Sequence, residues 1–128
     1  RAEFDQWVET ISGFDPAAQV EALFGLYFKF ADRDRRQCPL MALTSEINTL
    51  PSSMRKALLQ SGSDQKKWFE TIIARGQKEK VFRKDLSVAE LAESVLAMGY
   101  GAQAVSRING NSDSIPKIGK IATEFLSK

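Results

Sequence analysis

The chain contains no histidine. The commonest general base and the commonest metal ligand are therefore missing together, and Ser/His/Asp or Cys/His catalysis is excluded. A single cysteine, Cys38, rules out an intrachain disulfide framework and suits a reducing compartment. Proline and glycine are sparse, 4 and 8 in 128 residues, and they mark junctions, so no linker or low-complexity stretch divides the chain. Charge of one sign is also lacking: a net +2 is far from the concentrated basic excess of a phosphate-tracking surface. The longest apolar run, Val95 to Ala102, falls short of the ~18 residues of a membrane span. The N-terminus carries no charged-then-apolar signal. No paired carboxylates stand out for acid–base work, and nothing calls for a cofactor or a metal.

What is present is an ordinary globular balance, 43% hydrophobic and 27% charged, enough for one cytoplasmic domain with a core of its own. Phe4, Trp7, Val8 and Ile11 recur at i, i+3, i+4, i+7 and predict an amphipathic helix ending at Gly13, with no cap at its start. Asp15-Pro16 opens a second helix through Val20, Leu23, Phe24, Tyr27, Phe28 and Ala31. The charged run at 32–36 closes it, and placement at a helix C-terminus favours solvated cations over an anion or DNA contact. Cys38-Pro39 opens a short helix, Leu40 to Asn48. Cys38 suits a buried structural thiol better than a reactive one, having no fixed base beside it; Glu46 is either a buried polar anchor or the solvent side of that helix.

Pro51-Ser52-Ser53 predicts a serine-capped start. The phase from Met54 and Leu58 to Gln65, Phe69 and Ile72 stays nearly intact across the Ser61-Gly62-Ser63-Asp64 interruption. One long helix to about Lys80 is expected, with Gly76 as a weak spot inside it. Lys78, Lys80, Arg83 and Lys84, interleaved with Glu79 and Asp85, read as a solvated turn. Ser87 or Asp85 caps the next helix, and Glu90 completes a capping box with Ser87. After Asn109-Gly110-Asn111 a final helix begins near Pro116, with Ile115, Ile118, Ile121, Ala122 and Phe125 on one face. No stretch alternates like a strand. The expectation is an all-α fold of about six helices, the last two antiparallel.

Within this series Ser87 to Asn109 is apolar around most of its circumference. Val88, Leu91, Val95, Met98, Ala102 and Val105 form one face; Ser94, Ala97, Gly101, Ala104 and Ile108 form a second, of mostly small residues. Polar side chains are confined to Glu93, Gln103 and Arg107. A helix apolar on two faces must be covered on two sides. The protein's own core covers one, and a second copy of the chain is the expected cover of the other.

The order of segments resembles that of TetR-family transcriptional regulators. Arg36-Gln37-Cys38-Pro39-Leu40-Met41-Ala42-Leu43 with Glu46 resembles the family's Gly-Cys-Pro-Leu…Glu stretch. Met54-Arg55 to Trp68-Phe69 is similar to its long central helix. Gly76-Gln77…Arg83-Lys84-Asp85-Leu86 is similar to its Gly-Gln…Gly-x-Phe-Arg-x-Asp-Leu junction, with Lys80 where the second glycine would stand. Leu91-Ala92, Gly99-Tyr100-Gly101-Ala102, Arg107 and Asn109-Gly110 fall along its first dimer helix and the turn into the second.

The resemblance implies an effector-binding and dimerisation domain over 1–128. Residues 1–13 would be the end of a helix leading from a helix-turn-helix domain absent from this chain. The last two helices would form a four-helix bundle with a second subunit, and DNA would be contacted only through the missing domain. A small apolar or aromatic effector is implied, with Trp7, Phe24, Phe28, Met41, Thr44, Trp68, Ile72 and Met98 as candidate pocket residues. Trp68 leads them, since an indole N–H can take a polar group of the ligand. Ordinary core packing is the competing role for each. Ala97, Tyr100, Gly101, Ala104, Ile108, Ile118, Ile121 and Phe125 are the candidate interface. The rival to a repressor domain is a free-standing helical carrier of apolar molecules, not linked to DNA; an enzyme is disfavoured.

Overall fold

The computed structural model of the chain describes residues 2–32 and 46–128. They form five α-helices and no strand: α1 Ala2–Thr10, α2 Pro16–Asp32, α3 Ser52–Lys78, α4 Val88–Asn109 and α5 Ser114–Ser127. Of the short helix expected at Leu40–Asn48, only a 3-10 turn at Ile47–Thr49 falls among the described residues. Cys38 lies outside them, as does most of the run at 32–36. Glu46 is exposed, which settles it as solvent-facing. Among the described residues, no helix is long and apolar enough to cross a membrane.

Local chemistry sets most of the boundaries. The Asp15 carboxylate accepts from the Ala18 backbone N–H at 2.8 Å and opens α2. Ser87 and Glu90 close a reciprocal capping box at the start of α4, and Gly110 ends it in a left-handed turn at φ 77°. α3 runs unbroken through Ser61–Asp64, where the Gln60 side chain donates to Asp64 at 2.8 Å. Its start differs from expectation: Pro51 occupies the cap position and no serine side chain caps it. Proline at that junction supplies its own fixed φ, so the helix opens without a hydroxyl.

α4 packs closely on α5 across the short turn at 110–113, and α2 lies against α5, α3 and α4. Val20, Leu23, Phe24, Tyr27, Phe69, Ile73, Leu91, Val95, Ile115 and Leu126 fill the shared core. Two aromatic residues of α2 sit against glycines. A Cβ on Gly99 of α4 would sit 2.7 Å from Tyr27 Cε2, and one on Gly119 of α5 would sit 2.8 Å from Phe24 Cβ.

Two faces of α4 are corrected by this packing. Leu91, Val95 and Ala102 are buried as expected, but Val105 is 44% exposed. A second buried stripe runs through Ala92, Leu96, Gly99, Gln103 and Ser106. The inward stripe therefore drifts onto Ser106 where the periodic reading placed Val105. Gln103, expected among the solvent-facing polar residues, is buried with its amide N–H donating to the Gly99 carbonyl at 3.3 Å.

Candidate functional site

Three rings converge where α1 meets α3. Phe4 and Trp7 of α1 lie 5.8 Å apart, and Trp68 of α3 lies 5.6 Å from Phe4 and 5.7 Å from Trp7 between centroids. Both contacts to Trp68 are edge-on, the orientation that ring quadrupoles favour. Phe28 and Met98, like Trp7 and Trp68, are half-buried against the main core. Of the candidate pocket residues, Trp7 and Trp68 are thus in direct contact. Phe24 and Ile72 are fully or nearly fully buried in the core. Met41 and Thr44 lie outside the described residues.

Beside this cluster a polar pair bridges α3 and α4: the Tyr100 hydroxyl donates to the Gln65 side-chain carbonyl. Tyr100 also lies 6.4 Å from Tyr27 between ring centroids. Its hydroxyl is thus engaged within the chain, while the residue as a whole is half-buried. Gln65, 8% exposed, and Phe4 were not singled out from sequence. Phe4 shares a helix face with Trp7, and Gln65 falls on the inward phase of Leu58, Phe69 and Ile72, so periodicity was a usable signal for both.

The far end of α1 is tied differently. The Gln19 amide donates to the Ile11 carbonyl at 3.1 Å. The Arg75 guanidinium donates to Gln19 Oε1 at 3.1 Å and to the Phe14 carbonyl, and it pairs with Glu79 at 3.5 Å. α1 therefore joins the body through rings at one end and backbone-directed hydrogen bonds at the other.

The outer faces of α4 and α5 carry the other candidate surface. Ile108 is 82% exposed and Ile121 53%, while Ala97 and Gly101 are exposed and Ala104, Ile118 and Phe125 half-buried. A Cβ on Gly101 meets nothing within 4 Å. Ile108 and Ile121 are thus the most exposed large apolar side chains of α4 and α5.

The α3–α4 junction is held by specific bonds. Gln77 donates to the carbonyls of Arg83 at 3.0 Å and Leu86 at 3.1 Å. Arg83 is paired with Asp85 at 2.7 and 2.6 Å, lies over the Phe125 ring at 5.0 Å, and gives its backbone N–H to the Leu126 carbonyl at 2.7 Å. The expected solvated turn is therefore corrected for Arg83, while Lys78, Lys80 and Lys84 are exposed. Hydrogen bonding from Arg83 holds the Asp85 carboxyl below its ordinary range and raises Arg83 in return. The Ser87 backbone N–H, then its side chain, lowers Glu90. Among the described residues no cluster of His, Cys, Asp or Glu could hold a metal.

The family model "Tetracyclin repressor-like, C-terminal domain" matches residues 16–120. The chain belongs to that family. No curated protein and no solved structure matches the chain. In this TetR-family domain the junction that resembled the family's pattern acquires a physical account. Gly76 admits the Phe82 ring, Gln77 ties the turn, and Arg83 with Asp85 closes the carboxyl end of α5. Lys80, in the glycine position of that pattern, adopts a left-handed φ of 63°. The turn geometry is kept even though the residue suited to it is absent.

Proposed function

We propose that this TetR-family domain is the effector-binding and dimerisation part of a cytoplasmic transcriptional repressor. It is a binder and not a catalyst, and α1 leads to the helix-turn-helix domain through which alone DNA is contacted. The observation that carries the dimerisation reading is the apolar outer face of α4 and α5, with Ile108 82% and Ile121 53% exposed. A second copy related by a two-fold axis would cover that face with its own, as isologous interfaces require. A small apolar or aromatic effector near Trp7, Phe28, Trp68 and Met98 biases two arrangements of α1. Those arrangements change the spacing of the paired DNA-reading heads.

Light scattering on the chain should report a dimer; a clean monomer at micromolar concentration ends the dimerisation reading. Thermal-shift screening against apolar and aromatic compounds should raise the melting temperature in proportion to the logarithm of ligand concentration. A screen without one concentration-dependent shift ends the effector reading.

A further inference from the structure

Phe4, Trp7 and Trp68 form a closed triangle of rings, with centroid separations of 5.8, 5.6 and 5.7 Å. Two of its corners belong to α1, which is otherwise held lightly: from Phe4 to Thr10 no residue of it is fully buried. Its carboxyl end is fastened by Gln19 to the Ile11 carbonyl and by Arg75 to the Phe14 carbonyl. Loss of the ring contacts would therefore let α1 swing about that fastened end without leaving the body. The polar side chains buried in the described core are all uncharged: Gln19, Gln65, Gln103, Ser106 and Ser112. A charged guest would meet no buried countercharge among them, and burying an unpaired charge is costly.

We infer that Phe4 and Trp7 occupy, on the Trp68 ring, the place of the effector. That effector is an uncharged planar aromatic molecule that displaces them and so frees the amino end of α1. The inference rests on the effector-binding reading and adds to it the ligand's chemistry and the means of regulation. A saturated molecule of equal size fills the same volume but has no ring quadrupole to replace the edge-on contacts on Trp68. Because the α1 rings and the ligand compete, trimming a ring should tighten binding, as removal of any competing closed state does.

The test uses the matched pair 2-naphthol and decahydro-2-naphthol, with 2-naphthoate as the charged analogue. Binding is measured by equilibrium dialysis on the 128-residue chain. The protein carries 2 tryptophans, so 5-fluorotryptophan labelling gives one fluorine resonance for each side of the Trp7–Trp68 contact. 2-Naphthol should move both resonances and bind about tenfold tighter than either analogue, the scale set by one or two aromatic pairs. Phe4→Ala, which keeps both labels, should bind it about tenfold tighter than the parent by the same measure. Trp7→Ala, read by dialysis alone, should do likewise, and Trp68→Leu should lose the preference for the aromatic ring.

Equal binding of 2-naphthol and its saturated counterpart, or tighter binding of 2-naphthoate, overturns the inferred chemistry while leaving effector binding intact. Binding that moves neither resonance, or that Phe4→Ala and Trp7→Ala leave unchanged, overturns the displacement. If parent and variants bind none of the three compounds the inference falls, whereas the effector reading stands or falls on the wider screen.

Discussion

Gly76 and Phe82 share one space: a Cβ on Gly76 would lie 2.0 Å from Cδ2 of the Phe82 ring. Helix propensity alone treats that glycine as a defect and credits Gly→Ala with about 1 kcal/mol. The ring is 4% exposed and has no free tip to swing aside, so the overlap should dominate. Gly76→Ala is expected to lower stability by about 1–3 kcal/mol, read as a lower urea midpoint at unchanged slope. A raised midpoint would show that propensity wins and that the close approach is not present.

Lys80 gives the opposite case. At φ 63° it bears the crowding that a left-handed residue with a Cβ suffers, roughly 1–2 kcal/mol. Glycine removes that crowding but gains freedom in the unfolded chain, which offsets part of the benefit. Lys80→Gly should therefore stabilise the domain by about 0.5–1 kcal/mol, visible as a higher melting temperature. A lower melting temperature would mean that the lysine charge at the end of α3 outweighs the backbone term.

Gly101 separates association from folding. Nothing within 4 Å opposes a side chain there in one subunit, so Gly101→Leu should leave subunit packing intact. Against a closely apposed partner helix the same change overpacks the contact by about 1–3 kcal/mol. The dimer dissociation constant, from sedimentation equilibrium, should rise about tenfold or more. An unaltered constant would mean that this small-residue face points elsewhere.

Acid should weaken the α3–α4 junction. Asp85, through Arg83, and Glu90, through Ser87, both have carboxyl groups held below their ordinary range. The folded state therefore binds their protons less readily than the unfolded chain does. Their contribution is complete above the ordinary carboxylate pKa of about 4 and is lost as pH falls through the lowered values. Urea midpoints should drop on acidification below about pH 4, and the drop should be smaller in an Asp85→Asn/Glu90→Gln variant. Equal acid sensitivity in parent and variant would assign the effect to other groups.

Features set by a few neighbouring residues were legible in the sequence: the Asp15 cap, the Ser87–Glu90 capping box, and the continuity of α3 through Ser61–Asp64. Features set by distant partners were not. Gly76 reads as a helix flaw until Phe82 is placed against it, and Gln103 reads as solvent-facing until the drift of the α4 stripe turns it inward. Periodicity says which residues share a face but not which neighbour that face meets. Tyr100 shows this most clearly, since its hydroxyl is used by Gln65 from another helix. The Phe4–Trp7–Trp68 triangle was half legible, because two of its rings share one turn pattern and the third arrives through tertiary packing.

The two glycine notches on α4 and α5 have a mechanical consequence. Tyr27 is seated at Gly99 and Phe24 at Gly119, so two neighbouring teeth of one helix engage slots on two different helices. Such a keyed joint blocks both sliding and axial rotation of α2, because either movement drives a ring into backbone. The three helices α2, α4 and α5 are thereby interlocked. Under the proposed function, movement on effector binding would fall to parts outside the key, α1 among them.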